Sequence, residues 1–468
     1  MTHIDHHPSP KGIIIAGLSG GSGKSVIAVG VTAALANQGL QIAPFKKGPD
    51  YIDAGWLQIA AGRACYNLDP YLMPPETIKR SCFEHSKGKE LVLIEGNRGL
   101  FDGVNVKGAY STAELAAILD LPVVLVVDCT KTTRTVAALL LGCQQMGENI
   151  HIAGVILNRI GSRRHENIIR QAIEHYTDIK VLGALPRLKH DIFPQRHIGI
   201  TPFQEFDGAT DAVKSLAAII NEHVDLQSLK NTATPLCFAK GSEPLYSQCR
   251  NNDGKYVTIG VLKDTAFQFY YPENLHALEL CGAELLEINA LTEFELPDID
   301  GLYIGGGFPE TSAQQLSENR SFRQSLQRRV EEGLPVYAEC GGLIYLGKDI
   351  TVGGTIFPLT GVFPVSFSME EKPQAHGYTI LKTTHPNPFY PAGANITGHE
   401  FRYSKVSNWI PENIGDLAFT MERGTGFAEG KDGLVYNNVL ALYTHIHALS
   451  TPEWAPAFIA KVKEVKRA

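Results

Sequence analysis

The feature that most constrains the fold is a short apolar segment that runs directly into a glycine-rich loop and a Lys-Ser pair. Residues 12–16 form a continuous apolar run, typical of a buried strand, and the loop Gly17-Leu18-Ser19-Gly20-Gly21-Ser22-Gly23-Lys24-Ser25 follows at once. A helical pattern over residues 25–38 comes next. Glycines let backbone N–H groups turn toward phosphate oxygens, and the helix N-terminus adds partial positive charge. The pattern therefore predicts a phosphate-binding loop between a strand and a helix.

The side chains of this loop predict a nucleotide with a metal ion. Lys24 can reach the β- and γ-phosphates of ATP, and the Ser25 hydroxyl can bind Mg²⁺. The first glycine stands one position earlier than in the usual spacing, so the loop is one residue longer. An ordinary glycine-rich turn would not require the Lys-Ser pair. The residues predicted to bind the nucleotide are Gly17, Gly21, Ser22, Gly23, Lys24 and Ser25.

Apolar runs alternate with helical patterns along both halves of the chain. The runs lie at residues 91–94, 122–127, 153–157, 257–261, 301–304 and 335–338. Continuous apolar strands favour a parallel sheet covered on both faces, and the alternation predicts an α/β fold with a doubly wound N-terminal domain. A polar stretch rich in Gly, Ser, Pro and Asn separates the halves. We therefore expect one domain at residues 1–230, a linker at 231–256 and a second α/β domain at 257–468.

Composition excludes several classes of protein. The net charge is -7 and no basic run stands out, which disfavours nucleic acid as a partner. No apolar stretch reaches the ~18 residues of a membrane span, and the polar start lacks a signal-peptide core, so we expect a cytoplasmic protein. The eight cysteines show no CxxC spacing, which argues against a zinc site or a disulfide framework.

Cations and carboxylates follow two predicted strands beside the phosphate loop. Glu95 follows the apolar run 91–94 and opens the loop 95–103, while residues 46–53 follow an earlier predicted strand. A carboxylate at this place suits a second Mg²⁺ ligand, and phosphoryl transfer to a carboxylate needs both cations and metal-binding carboxylates. A solvated turn is the simpler interpretation of residues 46–53 alone. The predicted substrate contacts are Lys46, Tyr51, Asp53, Arg98 and Asp102.

A cysteine between the apolar run 335–338 and a predicted helix indicates a second chemistry. A strand-to-helix turn exposes the side chain of Cys340, and a helix N-terminus stabilises a thiolate. Such a nucleophile needs a base, and His445 is the candidate, while His447 is expected to have a structural or orienting role. A buried structural thiol is the commoner fate of a cysteine, but the turn favours a nucleophile. The glycines predicted to form the oxyanion hole are Gly306, Gly307 and Gly341.

Taken together, these motifs resemble the cobyrinic acid a,c-diamide synthases and the relatives that amidate other cyclic tetrapyrroles. The resemblance extends from residue 12 to about residue 450. It is carried by the phosphate loop, residues 46–53, 67–70, 95–103, 266–274, 305–310, the Cys340 turn, residues 398–401 and 443–447. It implies a dethiobiotin-synthetase-like ATP domain joined to a glutaminase domain similar to class I (triad) amidotransferases.

The activity implied by the resemblance is ATP-dependent amidation of the a- and c-acetates of cobyrinic acid. Glutamine supplies the ammonia, and an acyl phosphate is the intermediate. The partners implied are glutamine and a tetrapyrrole polycarboxylate, with a homodimer as the plausible assembly. The resemblance also implies Ser25, Asp50 and Glu95 as Mg²⁺ ligands and Asn158 as the adenine contact.

Three departures from the family pattern leave alternatives open. Triad glutaminases place Glu two residues after the histidine, where this chain has His447, so the third member of the site is undecided. Arg98 replaces Met in the family's Glu-Gly-Val-Met-Gly, and Arg402 replaces His in His-Glu-Phe-His-Tyr. Arginine binds carboxylates in bidentate fashion. The alternative substrates are therefore sirohydrochlorin, its nickel complex and sirohaem.

Three rival functions are weaker. Cobyric acid synthase shares both domains, but the segment Phe269–Asn274 resembles the a,c-diamide group. A partitioning ATPase would carry a signature lysine where this chain has Ser19, and it would lack a glutaminase domain. A degenerate glutaminase kept as a scaffold is disfavoured by the intact Cys340 and His445.

Overall fold

The computed structural model describes residues 9–147, 149–188, 195–196, 199–237, 244–249, 254, 256–410 and 417–467. The chain divides into two compact units, Met1–Leu245 and Tyr246–Ala468. The division falls inside the segment 231–256, which also contributes a short strand, Thr234–Pro235, to the first unit. No helix among the described residues is both long and apolar enough to cross a membrane.

The first unit alternates strands and helices. Its strands are β1 Lys11–Gly17, β2 Ile42–Lys47, β3 Tyr66–Leu68, β4 Leu91–Gly99, β5 Val123–Asp128, β6 Ile152–Ile160, β7 Val181–Pro186, β8 Gln195–Arg196, β9 Gly199–Ile200 and β10 Thr234–Pro235. Its α-helices are α1 Lys24–Asn37, α2 Ile52–Ala61, α3 Pro75–Ser86, α4 Thr112–Leu119, α5 Thr135–Met146, α6 Arg163–Tyr176, α7 Ala209–His223 and α8 Leu226–Thr232. A 3₁₀ helix spans Phe203–Glu205.

Seven strands of this unit form a parallel sheet in the order β3-β2-β4-β1-β5-β6-β7, and β10 pairs antiparallel with β1. The apolar runs predicted as strands are confirmed, because their side chains are buried on both faces of the sheet. Helix α1 packs against α2 and α7. The phosphate loop joins β1 to α1, so its backbone lies at the carboxyl end of a central strand.

The second unit has a similar alternation followed by an antiparallel region. Its strands are β11 Val257–Leu262, β12 Ala283–Ile288, β13 Gly301–Ile304, β14 Val336–Glu339, β15 Asp349–Val352, β16 Thr355–Pro358, β17 Ser366–Met369, β18 Ala375–Thr383, β19 Asn395–Arg402, β20 Ser404–Asn408, β21 Phe419–Arg423, β22 Lys431–Asp432, β23 Leu434–Tyr436, β24 Val439–Leu442 and β25 His445–Ile446. Its α-helices are α9 Pro272–Leu280, α10 Ala313–Glu318, α11 Arg320–Glu331, α12 Gly341–Leu346 and α13 Trp454–Arg467. A 3₁₀ helix spans Pro309–Ser312.

The main sheet of the second unit has the order β12-β11-β13-β14-β24-β23 and is parallel except for its β23 edge. The polar and turn-rich tail forms a four-stranded sheet, β16-β15-β17-β20, and a five-stranded sheet, β22-β21-β18-β19-β25. The α/β prediction is thus confirmed for both halves. Strand β14 ends directly before Cys340, and β24 ends three residues before His445.

One expectation about the cysteines was wrong. Cys249 and Cys281 are disulfide-bonded, with Cα atoms 4.4 Å apart and a sequence separation of 32. Two cysteines 32 residues apart form no recognisable motif, so the pairing of Cys281, directly after α9, with Cys249 could not be predicted. Five free cysteines are buried: Cys340 and, as expected for small core residues, Cys65, Cys82, Cys129 and Cys143.

Candidate functional site

The phosphate loop is held in shape by positive backbone φ angles and by one buried amide. Gly21 and Gly23 have φ values of 76° and 91°, which a side chain would strain. The Asn158 amide, on β6, donates to the carbonyl oxygen of Ser22 at 2.9 Å and contacts Gly23 so closely that a Cβ there would collide with it. Asn158, expected to contact adenine, therefore also fixes the loop, a role that the sequence did not indicate.

A cluster of oxygen-bearing side chains surrounds the start of α1. The Ser25 Oγ lies 2.7 Å from Glu95 Oε1 and 3.1 Å from Asp53 Oδ2. Glu95 lies within β4 rather than beyond it, because β4 extends to Gly99 in parallel pairing with β1. Asp50 accepts a hydrogen bond from the Asp53 N–H at 2.9 Å. The structure thus brings together the residues expected at the metal and phosphates.

Lys46 occupies the centre of this cluster and has no exposed side-chain surface. Its ammonium lies 2.6 Å from Asp53 Oδ2 and 2.8 Å from Glu95 Oε1, and it donates to the Gly96 carbonyl oxygen at 3.2 Å. Asp50 Oδ2 is 3.8 Å away. The predicted contact between Lys46 and substrate would require some of these pairs to open, because the ammonium is directed at the protein's own carboxylates.

Burial and charge act in opposite directions on the pKa values of this cluster. Burial opposes the charge of Lys46, but Asp53, Glu95 and Asp50 outweigh it and raise the pKa of its ammonium. Burial also opposes the charge of Asp53, yet Lys46 lowers the pKa of that carboxyl to about 2. For Glu95 burial prevails and raises the pKa to about 7. The ammonium is therefore the main counter-charge for the buried carboxylates.

We expect Lys46→Met to destabilise the protein strongly. Removing the ammonium leaves buried carboxylates without their counter-charge, which costs about 3–5 kcal/mol. The matched control is Lys79→Met, because Lys79 pairs with Glu76 on the surface and such pairs contribute about 0–1 kcal/mol. Urea denaturation followed by circular dichroism measures both variants. Equal shifts for the two variants would contradict the role given to Lys46.

The cluster fits Mg²⁺ bound together with nucleotide phosphates. Glu95 Oε2 is buried and has no hydrogen-bond partner among the described residues, so one hard oxygen is left for a cation. The described part of the chain holds no group of three or more His, Cys, Asp or Glu arranged as a complete metal site. Mg²⁺ needs none, because it is commonly held by one or two carboxylates, waters and substrate phosphates.

The remaining predicted substrate contacts are Tyr51, which follows β2, Arg98, which lies near the end of β4, and Asp102, which follows β4. Tyr51 precedes α2 and is half-buried. Arg98 is exposed and has a φ of 51°, and Asp102 is exposed while accepting a hydrogen bond from the Gly99 N–H at 3.0 Å. Arg98 therefore offers an exposed cation near the carboxyl end of β4.

Arg402 does not offer an accessible cation, so the suggestion that it binds a carboxylate of the substrate was wrong. The side chain is buried, and its guanidinium donates to the carbonyl oxygens of Ser404 and Gly426. Its central carbon lies 3.9 Å from the centre of the Tyr443 ring, in a cation–π contact. The sequence could not show this, because the partners come from a neighbouring strand and a loop of the antiparallel region.

Cys340 lies at a strained turn between β14 and α12, and its side chain is buried rather than exposed as the turn predicted. Its backbone φ is 45°, a left-handed value that costs energy for any residue other than glycine and is typical of nucleophile turns. The N–H of Cys340 donates to the Leu442 carbonyl oxygen at 2.8 Å, at the parallel pairing of β14 with β24. This pairing brings the end of β24, and hence His445, to the cysteine.

His445 contacts both Cys340 and a carboxylate. The ring forms a hydrogen bond with Cys340, and its Nδ1 lies 3.4 Å from Glu339 Oε2. Burial opposes a charge on His445, but its hydrogen bonds to Cys340 and Glu339 outweigh burial and raise its pKa to about 10. Burial raises the pKa of Glu339. The arrangement places a candidate nucleophile, a candidate base and a carboxylate in contact.

The glycines expected at the oxyanion hole lie against this pair. A Cβ at Gly306 would collide with the His445 ring, and a Cβ at Gly341 would lie 3.0 Å from the Gly307 nitrogen. The Gly306 carbonyl oxygen accepts hydrogen bonds from the N–H groups of residues 268 and 269, at 3.0 Å each. The loop after β13 is thus fixed beside the nucleophile turn, and the close approach requires glycine at these positions.

Two further histidines surround His445. The His399 ring stacks on the His445 ring, with centroids 5.0 Å apart, and burial together with His445 lowers the pKa of His399 well below its ordinary value. His447 Nε2 lies 3.5 Å from Glu273 Oε1, and both side chains are fully buried. The sequence prediction missed Glu339 and Glu273. Only the position of Glu339, directly before Cys340, could have indicated from the sequence that it belongs to the site.

Comparison with known proteins agrees with the division of the chain into two different domains. Residues 13–198 match the model of the CobQ/CobB/MinD/ParA nucleotide binding domain, and residues 258–453 match the CobB/CobQ-like glutamine amidotransferase domain. A cobyrinate a,c-diamide synthase of Magnetococcus marinus is 43% identical, over 94% of this chain and 94% of the relative. The enzyme of the same name from Archaeoglobus fulgidus is 38% identical, over 97% of this chain and 98% of the relative.

Fold and family matches together define a nucleotide-binding α/β domain joined to a glutamine amidotransferase domain. Similarity over nearly the whole length of both relatives narrows this class further. The chain belongs to the cobyrinate a,c-diamide synthase family, as the resemblance of its motifs implied.

Proposed function

We propose that this protein is a cobyrinate a,c-diamide synthase, which uses ATP and glutamine to convert the a- and c-acetates of cobyrinic acid into amides. The observation that carries the proposal is the Cys340–His445 pair at a strained turn, in a chain that matches enzymes of this name over nearly its full length. Residues 1–230 activate the carboxylate and residues 257–468 release the ammonia. A homodimer and a cytoplasmic location stay predictions.

In the glutaminase site, the Cys340 sulfur attacks the side-chain amide carbon of glutamine. His445 takes the thiol proton and returns it to the departing nitrogen, so that ammonia leaves and a thioester forms. Water then hydrolyses the thioester to glutamate. The N–H groups of Gly307 and Gly341 are suited to stabilise the oxyanion of the tetrahedral intermediate, since both glycines lie beside the nucleophile turn.

In the synthetase site, a carboxylate oxygen of the tetrapyrrole attacks the γ-phosphorus of ATP. The bond between the γ-phosphorus and its bridging oxygen breaks, so that ADP leaves and an acyl phosphate forms. Ammonia then attacks the acyl carbon, displaces phosphate and loses a proton to give the amide. The phosphate loop and Lys24 bind the phosphates, while Ser25, Asp50 and Glu95 would hold Mg²⁺. The metal supplies charge neutralisation at the phosphates when it is bound.

The names of the relatives favour cobyrinate over the alternative macrocycles. Relatives that are 35–43% identical to this chain are cobyrinate a,c-diamide synthases. The internal contacts of Arg402 remove one of the two arguments for another macrocycle. Arg98 then serves as a carboxylate contact that is compatible with cobyrinate.

A substrate panel tests this proposal. The purified chain receives Mg·ATP, glutamine and one of four acceptors: cobyrinic acid, sirohydrochlorin, its nickel complex or sirohaem. Product masses show which acceptor gains amides. We expect amidation of cobyrinic acid at two positions. Amidation of a sirohydrochlorin-type ring, with cobyrinic acid unchanged, would keep the chemistry and overturn the substrate.

A further inference from the structure

We propose that Glu339 is the positioning residue of the glutaminase site, and that its carboxylate orients His445 for proton transfer with Cys340. The inference rests on the proposed glutaminase activity and assigns the third member that the sequence left open. Glu339 is fully buried, and its Oε2 lies 3.4 Å from His445 Nδ1. A glutamate directly before the nucleophile thus takes the role that triad glutaminases give to a glutamate two residues after the histidine.

Strand pairing positions Glu339 beside His445. Glu339 is the last residue of β14 and pairs in parallel with Leu442, the last residue of β24. His445 follows three residues later, and the Ile446 N–H donates to Glu339 Oε1 at 3.3 Å. Nucleophile, base and carboxylate are therefore all held by two adjacent buried strands and the turns that follow them.

His447, which stands where triad glutaminases have glutamate, faces other partners. Its Nε2 is directed at Glu273, and its Nδ1 accepts a hydrogen bond from the Leu449 N–H at 3.1 Å. Glu273 and His447 thus form a second buried carboxylate–imidazole pair. The two pairs are chemically alike, and the contact with Cys340 distinguishes the pair that contains Glu339.

The hydrogen-bond pattern around Glu339 fixes the tautomer of His445. A carboxylate at Nδ1 favours a proton on that nitrogen, which leaves the Nε2 lone pair to take the thiol proton. One oxygen of Glu339 already accepts from the Ile446 N–H, which is an obligatory donor. In Glu339→Gln the amide oxygen is expected to keep this bond, so the NH₂ group turns toward Nδ1. The proton then moves to Nε2, the wrong nitrogen for a base.

Steady-state glutaminase kinetics of matched variants test this inference. Glu339→Gln should lower kcat for glutamine on the order of 10²- to 10³-fold, with KM changed less than about threefold, as expected for a group that orients the base. Glu339→Asp keeps a carboxylate and should restore part of kcat. Glu273→Gln, which alters the second buried pair, should keep kcat within about threefold of the unchanged protein.

Amidation driven by ammonium chloride and thermal unfolding show that each variant is folded. Should Glu339→Gln not fold, Glu339→Asp decides: lower kcat with unchanged KM supports the inference, and unaltered kcat overturns it. An equal loss of kcat in Glu273→Gln, or full activity in Glu339→Gln, also overturns it. These failures differ from failure of the proposed function, in which the unchanged protein would not hydrolyse glutamine at all.

Discussion

Cys340→Ala is expected to abolish glutamine-dependent amidation while leaving ammonia-dependent amidation intact. In the proposed mechanism the Cys340 sulfur attacks glutamine, and loss of a covalent nucleophile lowers kcat by roughly 10⁴-fold or more. Free ammonia bypasses this step, because the acyl phosphate forms in the other domain. Product formation is measured with glutamine and then with ammonium chloride as the nitrogen source.

Cys237→Ala is the control for thiol loss, because Cys237 is exposed and belongs to the first unit. It should retain both activities. A Cys340→Ala protein that still uses glutamine would disprove the assignment of the nucleophile. Loss of both activities would instead indicate that the substitution damages the fold, which thermal unfolding would reveal.

Lys24→Met is expected to lose amidation and keep glutamine hydrolysis, which is the opposite of the effect of Cys340→Ala. Removing the ammonium that we propose to contact the β- and γ-phosphates should lower amidation by about 10²- to 10³-fold with either nitrogen source, because charge stabilisation in phosphoryl transfer is lost. Glutamine hydrolysis should remain measurable, since Cys340 and His445 lie in the second unit. Phosphate release, amide formation and glutamate release are measured in parallel.

The exposed residue Lys87 provides the matched control for Lys24. Lys87→Met removes a surface ammonium paired with Glu84 and should leave amidation unchanged. If Lys24→Met amidated cobyrinate at the normal rate with ammonium chloride, the phosphate loop would not be the ATP site. Together, the variants of Cys340 and Lys24 separate the two chemistries within one chain.

Local features of the sequence predicted the fold and the turns at which the candidate site residues lie. Continuous apolar runs identify parallel strands because both faces of each sheet are covered. The phosphate loop and the Cys340 turn are contiguous motifs whose geometry follows from strand, turn and helix in succession. Such features need no knowledge of which distant segments meet, so a single sequence indicates them.

Contacts between distant segments could not be predicted in this way. Lys46 meets Glu95 through the pairing of β2 with β4, and Arg402 is satisfied by carbonyl oxygens rather than by substrate. Glu339 meets His445 only because β14 pairs with β24. In each case the charge was visible in the sequence, but its partner depended on strand order.

The measurement that tests the account most directly is the transfer of labelled nitrogen from glutamine. The unchanged protein is incubated with Mg·ATP, cobyrinic acid and glutamine labelled with nitrogen-15 in its side-chain amide, and the product is analysed by mass spectrometry. We predict a diamide in which both new amides carry the label, formed only when ATP is present. Glutamine hydrolysis without labelled amide in the product, or labelling that does not require ATP, would contradict the proposed function.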